Sequence, residues 1–350
     1  MMTTTLHNTN RKDGFTLVEL MVVLAIISLL ATTVLFGLSG VQTTARTQRT
    51  KAQIARIHEL IADKWESYET RRVTLSSIPP TSWFQNNIGL RRLIGLREIM
   101  RWEMPDRISD VRIATSFSVA GTPEPGLLQY YRNVDDNNVD NSGNRRWTNQ
   151  YEGAECLYMI LSRIRIADSN GLDSFSEREI GDVDNDGMPE LLDAWGQPIE
   201  FLRWAPGFNL DQNGNPLGLS TLNNPEAEDS LDLAARDPRY YADPTLDPAT
   251  RTFIKPYSMF PLIVSGGANR EINLILRSTD SFNYSETPML RDDVFQNNAK
   301  YPALGSVVFP CDPFFGTPGG ESFGARTTDG DGNDIVDNDN ITNHLLETSL

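Results

Sequence analysis

The densest group of metal-ligating side chains in this sequence is the run from Gly181 to Asp193, Gly-Asp-Val-Asp-Asn-Asp-Gly-Met-Pro-Glu-Leu-Leu-Asp. Carboxylates packed this closely repel one another unless a cation sits among them, and hard Ca²⁺ takes about six to eight oxygen ligands. Asp182, Asp184 and Asp186 stand at positions 1, 3 and 5 of a twelve-residue calcium loop, and Gly187 takes the sharp turn at position 6. Met188 offers its carbonyl at position 7, Glu190 stands at 9, and Asp193 closes the loop at 12. Aspartate in place of the usual glutamate at position 12 weakens the bidentate expectation. Pro189 and the Trp-Gly that follows argue against a regular exiting helix, so the expectation is one calcium loop and not a pair of helix-flanked loops. An acidic turn that needs no ion is the bland alternative, and magnesium fits less well because all-protein cages suit the larger ion.

Other acidic stretches are weaker. The tract from Asp135 to Gln150, with Asp136, Asn138, Asp140 and Gly143, reads as a turn-rich loop, and Asp211 to Asn215 as a hairpin or turn. The tail bearing Asp329, Asp331, Asp334, Asp337 and Asp339 lacks a glycine at the sharp-turn position. It could hold a second cation or be a solvated acidic tail. Catalytic residues are not expected. The three histidines, His7, His58 and His344, are scattered, and no His ligand set or phosphate loop supports a catalytic centre. A membrane-anchored hydrolase using the acidic loops around a metal is the remote alternative. Cys156 and Cys311 lack the spacing of a structural zinc site, although one bridge between them is permitted in an oxidising compartment. The formal charge of −16 argues against a nucleic-acid partner, which needs clustered Lys and Arg.

The elements that must position these groups begin with an apolar helix. No residue from Leu20 to Ala45 is charged, and the 24 residues from Phe15 to Leu38 reach about 36 Å as a helix, enough to cross a hydrocarbon core. Arg11 and Lys12 precede it, which keeps the N-terminus cytoplasmic and exports the remainder, single-pass, from the inner membrane. The charges up to Leu38 cancel, so the whole −16 belongs to the exported part. A buried core helix and an ordinary cleaved secretory signal are the rivals. The stretch is apolar on every face and longer than a usual signal core. Glu19 is the anomaly, because an ionised carboxylate in an apolar span needs a partner. A cut between Gly14 and Phe15 would free an amine one helical turn away, able to neutralise Glu19 in the same chain or a neighbouring one.

At Gly14-Phe15-Thr16-Leu17-Val18-Glu19 and the apolar run after it, the sequence resembles the type IV prepilin and type II secretion pseudopilin family. The resemblance implies a leader over residues 1–14, cleavage after Gly14 by a prepilin peptidase, methylation of the Phe15 amine, and a role for Glu19 in docking into a helical filament. The partners it implies are other pilin or pseudopilin subunits, met through the N-terminal helix, and an inner-membrane assembly platform. Phe36 departs from the pattern, since many pilins carry a helix-kinking proline there. A second segment, Asp193-Ala194-Trp195-Gly196-Gln197-Pro198, resembles the Asp-x-Trp-Gly-x-Pro segment of major pseudopilins, and Pro261 to Gly267 is similar to their late strand and Ser-x-Gly turn. These favour a subunit of a type II secretion pseudopilus over the alternative, a type IV pilin used in adhesion, DNA uptake or motility.

Beyond the apolar span, Ile54, Ile57, Ile61, Trp65 and Tyr68 recur near 3.6-residue spacing, which predicts an amphipathic continuation over residues 39–70. Pro79-Pro80 then opens a globular head over 71–350. Within it, helices are expected at Ile88–Trp102, with its arginines on a solvated or subunit-contacting face, and at Cys156–Ile166. Strands are expected at Ile199–Trp204 and 261–267, and an exposed insertion at Asn224–Thr250. The expected fold class is α+β: a long N-terminal helix, transmembrane in its first half (15–38) and amphipathic in its second, packed on an antiparallel β-sheet with loop-rich insertions.

Overall fold

A computed structural model describes residues 16–76, 88–112, 121–166, 169–209, 222–224, 226–237, 240, 256–276, 313, 323–327 and 339–346. Gly14, Phe15, the Asp211–Asn215 turn, Cys311 and the acidic tail from Asp329 to Asp337 lie outside them. The chain divides into two compact units, residues 1–46 and 47–350.

In the first unit, helix α1 (Leu17–Glu66) starts immediately after Thr16 and carries a span from Leu17 to Val34 with mean hydropathy 2.5, none of it buried. This helix is long and apolar enough to cross a membrane. Its hydroxyls are satisfied within the helix: Ser28 donates to the Leu24 carbonyl at 2.7 Å, Thr32 to Leu29 at 2.8 Å and Thr33 to Leu30 at 2.9 Å. Such back-bonding leaves the span no side-chain donor that requires water.

In the second unit, the remainder of α1 buries Ile54, Ile57, Leu60, Ile61 and Trp65, and Tyr68 just past its end, while Ala55, Glu59, Asp63 and Glu66 stay exposed. The buried side chains join one core with α2 (Ile88–Glu103), α5 (Glu152–Leu161) and strand residues Leu191, Phe201 and Ile263. Two polar contacts fix this helix against the chain that follows the acidic loop: Gln53 donates to the Leu192 carbonyl at 2.9 Å, and Thr50 Oγ1 accepts from the Ala194 amide at 3.1 Å. Removing one methyl here should be measurable. Ile61→Val is expected to cost about 1 kcal/mol and Glu59→Ala less than about 0.5 kcal/mol in denaturant unfolding of the detergent-solubilised chain. Equal effects at the two positions would contradict this packing.

Three of the four arginines of α2 correct the expectation of a solvated face, and Arg92 alone among them is exposed. Arg91, Arg97 and Arg101 are buried. Arg97 pairs with Asp229 at 3.0 Å and Asp237 at 2.9 Å, and Arg101 pairs with Asp110 of α3 (Ile108–Arg112). Asp229 and Asp237 come from a distant part of the chain and Asp110 from the next helix, so α2 is a buried strut with internal counter-ions. Helix α4 (Gly126–Asn137) runs into the tract read as a loop, burying Leu128, Tyr131 and Asp135, and only from Asn138 onward does that tract turn. Helix α5 stops before the expected Ile166, because β1 (Arg165–Ile166) folds back on β2 (Ser169–Asn170). Cys156 is buried in α5 and forms no disulfide among the described residues.

Among the described residues the antiparallel pairing is divided among three small sheets. Besides β1–β2, strand β3 (Ile180–Gly181) pairs with β4 (Glu190–Leu191), with Gly181 opposite Glu190. Strand β5 (Glu200–Leu202) pairs with β6 (Leu262–Ser265), which pairs in turn with β7 (Ile341–Thr342), giving the order β5-β6-β7. All three strands of that sheet are buried. A long helix with small antiparallel sheets packed beside its second part is a pilin-like α+β arrangement. The β3–β4 ladder has the further effect of closing the acidic loop at its base.

Candidate functional site

Within the loop between β3 and β4 the carboxylates face inward and also fold the backbone. Asp182 accepts from the Asp186 amide at 3.1 Å and the Gly187 amide at 3.0 Å, and Asp186 accepts from the Met188 amide at 2.9 Å. Asn185 and Gly187 both take positive φ, 61° and 91°, so the chain curls tightly around the acidic groups, and glycine at 187 removes the Cβ that would meet Asn138 Oδ1 at 2.6 Å. Val183 donates its amide to Glu190 at 3.1 Å across the mouth of the hairpin. Oxygens of Asp182, Asp184 and Glu190 lie within 4.8 Å of one another.

A second trio shares Asp184. Oxygens of Asp184, Asp186 and Glu155 also lie within 4.8 Å of one another, and Glu155 comes from the first turn of α5. The segment before α5 supports them: Thr148 donates its amide to Asp186 and its hydroxyl to Asp184, at 2.5 and 2.9 Å, and the Trp147 indole donates to Glu155. From the other side Asn138 donates to the Asp186 carbonyl at 3.0 Å and Arg146 to the Asn185 carbonyl at 2.7 Å. Burial pushes the Glu155 carboxyl up to about 9, against the Trp147 hydrogen bond and with the charges of Asp186, Asp184 and Glu190 adding to the rise. Burial likewise pushes Glu190 up to about 7, with Asp184, Asp182 and Asp186 contributing. These clusters of acidic residues could coordinate a divalent cation.

Of the residues expected from the sequence, Asp182, Asp184, Asp186 and Glu190 are brought together, and Met188 is buried beside them with its amide on Asp186. Asp193 is elsewhere. One of its oxygens accepts from the amides of Trp195 at 2.8 Å and Gln197 at 3.0 Å, and the other from the Ser265 hydroxyl at 2.7 Å. It thus shapes the Trp195-Gly196 turn, where Gly196 has φ 79°, and ties that turn to the end of β6. The Ser265 hydroxyl also accepts from the Gly267 amide at 3.1 Å, so the Asp-Ala-Trp-Gly and Ser-Gly-Gly segments meet in one hydrogen-bonded knot. Trp195 is half-buried against the main core. Sequence reading missed Glu155, whose only signal was an acidic side chain one residue ahead of an apolar helical pattern.

At the N-terminal end of α1, Glu19 accepts from the Thr16 amide at 2.8 Å and hydroxyl at 2.9 Å, while the Glu19 amide donates back to Thr16 Oγ1 at 3.2 Å. This reciprocal arrangement satisfies helix-end donors. It also gives Glu19 local partners within the first turn of the apolar span.

Helix α1 therefore carries a span long and apolar enough to cross a membrane, with Glu19 in its first turn. Residues 9–35 match the prokaryotic N-terminal methylation motif, which is diagnostic of type IV prepilin and pseudopilin-type proteins, a structural and non-catalytic class. The motif implies processing by a prepilin peptidase and membership of a pilin-type assembly system. No curated protein and no solved structure matches the chain.

Proposed function

We propose that the chain is a structural subunit of a type II secretion pseudopilus. Residues 1–14 are its leader, removed by cleavage between Gly14 and Phe15. The Phe15 amine is then methylated, and Glu19 guides docking against the neighbouring subunit. Residues 15–38 anchor it in the inner membrane with the N-terminus cytoplasmic, 39–70 continue as an amphipathic helix, and 71–350 form the head on the periplasmic side. An assembly platform in that membrane and other subunits, met through the N-terminal helix, are its partners. The acidic loop binds Ca²⁺ through Asp182, Asp184, Asp186, Glu190 and the Met188 carbonyl, which fastens the hairpin to the head. Asp193 supports that site by holding the turn that follows it.

The observation carrying the pseudopilus reading is the joining of Asp193 to Ser265, because the two segments that resemble pseudopilins are distant in sequence and adjacent in the fold. Intact and N-terminal peptide mass spectrometry of the protein from its native membrane tests the processing. The expected chain starts at methylated Phe15, and Gly14→Leu is expected to abolish cleavage. A chain that retains Met1 or is cut elsewhere contradicts the proposal. Deleting the gene should block release of exported enzymes. Loss of surface fibres with secretion intact would assign the subunit to a type IV pilus instead.

A further inference from the structure

We infer that Glu155 of α5 is a ligand of the divalent cation held by the Asp182–Glu190 loop, so that the site draws its carboxylates from two elements of the head. The inference rests on the proposed calcium reading of the loop and goes beyond it, since the twelve-residue spacing contains no position for this side chain.

Three observations carry it. The first is distance. Glu155, Asp184 and Asp186 offer oxygens all within 4.8 Å, and Asp184 belongs equally to the trio with Asp182 and Glu190. A calcium ion bonded at about 2.3–2.6 Å spans oxygens up to about 5 Å apart, so Glu155 lies within reach of an ion bound to Asp184.

The second is an orphaned acceptor. Glu155 is completely buried; Oε2 takes the Trp147 indole hydrogen bond, and Oε1 has no hydrogen-bond partner. An unsatisfied buried acceptor is costly, and more so when charged. An apolar side chain would serve α5 better there unless something fills the vacant coordination. The third is charge. Among the described residues none of the five carboxylates, Glu155, Asp182, Asp184, Asp186 and Glu190, forms an ion pair, although Arg146 reaches the same loop and spends its guanidinium on a backbone carbonyl. Elsewhere in the head buried carboxylates such as Asp110 and Asp237 do pair with arginine. An all-oxygen set without His or Cys suits a hard cation and disfavours zinc.

The consequence is mechanical. The Glu155 helix packs so closely on β5 that a Cβ on Gly153 would meet the Phe201 carbonyl at 2.7 Å. A cation shared by Glu155 and the loop therefore couples the β3–β4 hairpin to the central strands through α5.

The test uses the full-length chain in detergent, with Tb³⁺ luminescence sensitised by tryptophan and displaced by Ca²⁺. Glu155→Gln keeps an acceptor for Trp147 and the side-chain volume but removes the charge. We expect it to weaken Ca²⁺ binding at least tenfold, and Glu155→Asp to restore part of the affinity. In chelator the Glu155→Gln protein should melt at or above the wild-type temperature, while the rise in melting temperature on adding Ca²⁺ shrinks. A Glu155→Gln protein with wild-type affinity, beside an Asp184→Asn protein that has lost it, overturns the inference and leaves the loop site standing. Wild-type protein without saturable Ca²⁺ binding overturns both.

Discussion

Asp110→Ala is expected to destabilise the head by about 3–5 kcal/mol, because removing one member of a buried ion cluster leaves the others uncompensated. Asp110 is only 1% exposed. It receives the Arg101 guanidinium and Arg203 Nη1 at 2.9 Å, and its neighbour Asp106 takes Arg107 at 2.9 Å and Arg203 at 3.4 Å. Burial alone would raise the Asp110 carboxyl, yet Arg101, Arg203 and Arg107 outweigh it and hold the group well below the usual carboxylate range. Arg203 also donates to the Met104 carbonyl at 2.7 Å, so the cluster joins the end of α2, α3 and the residue after β5. Asp110→Asn keeps the shape and should cost nearly as much, which separates charge from packing. Glu124→Gln, at the more exposed pair with Arg132, should change stability by less than about 1 kcal/mol. Urea unfolding of the full chain checks all three, and a loss below 1 kcal/mol for Asp110→Ala would falsify the assignment of this cluster as a structural hub.

Acidification should loosen the head through His344. This imidazole is 1% exposed, with Nε2 at 3.1 Å from the Pro261 carbonyl and its ring against Phe208 at 5.2 Å. Burial lowers its pKa to about 4, opposed by the Pro261 carbonyl and reinforced by His58. The folded state therefore needs the neutral ring. A depressed histidine contributes stability that is complete above the unfolded value near 6.5 and is lost as pH falls through that value towards 4. Between pH 7 and 5 the expected loss from this group is about 2 kcal/mol. Other groups titrate in the same window, so the informative quantity is the difference between wild type and His344→Gln, measured by denaturant unfolding at each pH. Parallel curves for the two proteins would remove His344 as the cause.

Legibility in the sequence followed the range of the interactions. The apolar span was readable because every determinant lies within a few residues of the next, whereas the Thr16–Glu19 hydrogen bonds were not anticipated. The acidic loop is equally local: Asp182, Asp184 and Glu190 form one group of oxygens, and Asp184 and Asp186 form another with Glu155. Glu155 was hidden because nothing in its local sequence shows that α5 will bring it to Asp184. Asp193 satisfied the twelfth position on paper, while the fold used it to cap the Trp195 turn and hold Ser265. The arginines of α2 read as a solvated face since their counter-ions, Asp110, Asp229 and Asp237, reach them only in the folded chain. Helix α4 was obscured by the polar residues at its end, although Leu128 and Tyr131 already carried its buried face.

The order of strands in the central sheet also bears on when the head can finish folding. Both neighbours of strand β6 are distant in the chain: β5 pairs Leu202 with Leu262, and β7 pairs Ile341 with Ser265 and Thr342 with Val264. Loop-closure entropy rises slowly with length, by about 0.6 kcal/mol per doubling, so the long separation is tolerable at equilibrium. Its cost is kinetic, since a contact between such distant residues is slow to find. If the head crosses the membrane from its N-terminal end, β5 and β6 arrive while β7 is still on the other side. One edge of β6 then stays unpaired until residue 342 emerges, leaving an exposed strand that invites pairing with another chain. If the chain polymerises as proposed, assembly has to wait for β7, which makes arrival of that strand a timer between export and polymerisation.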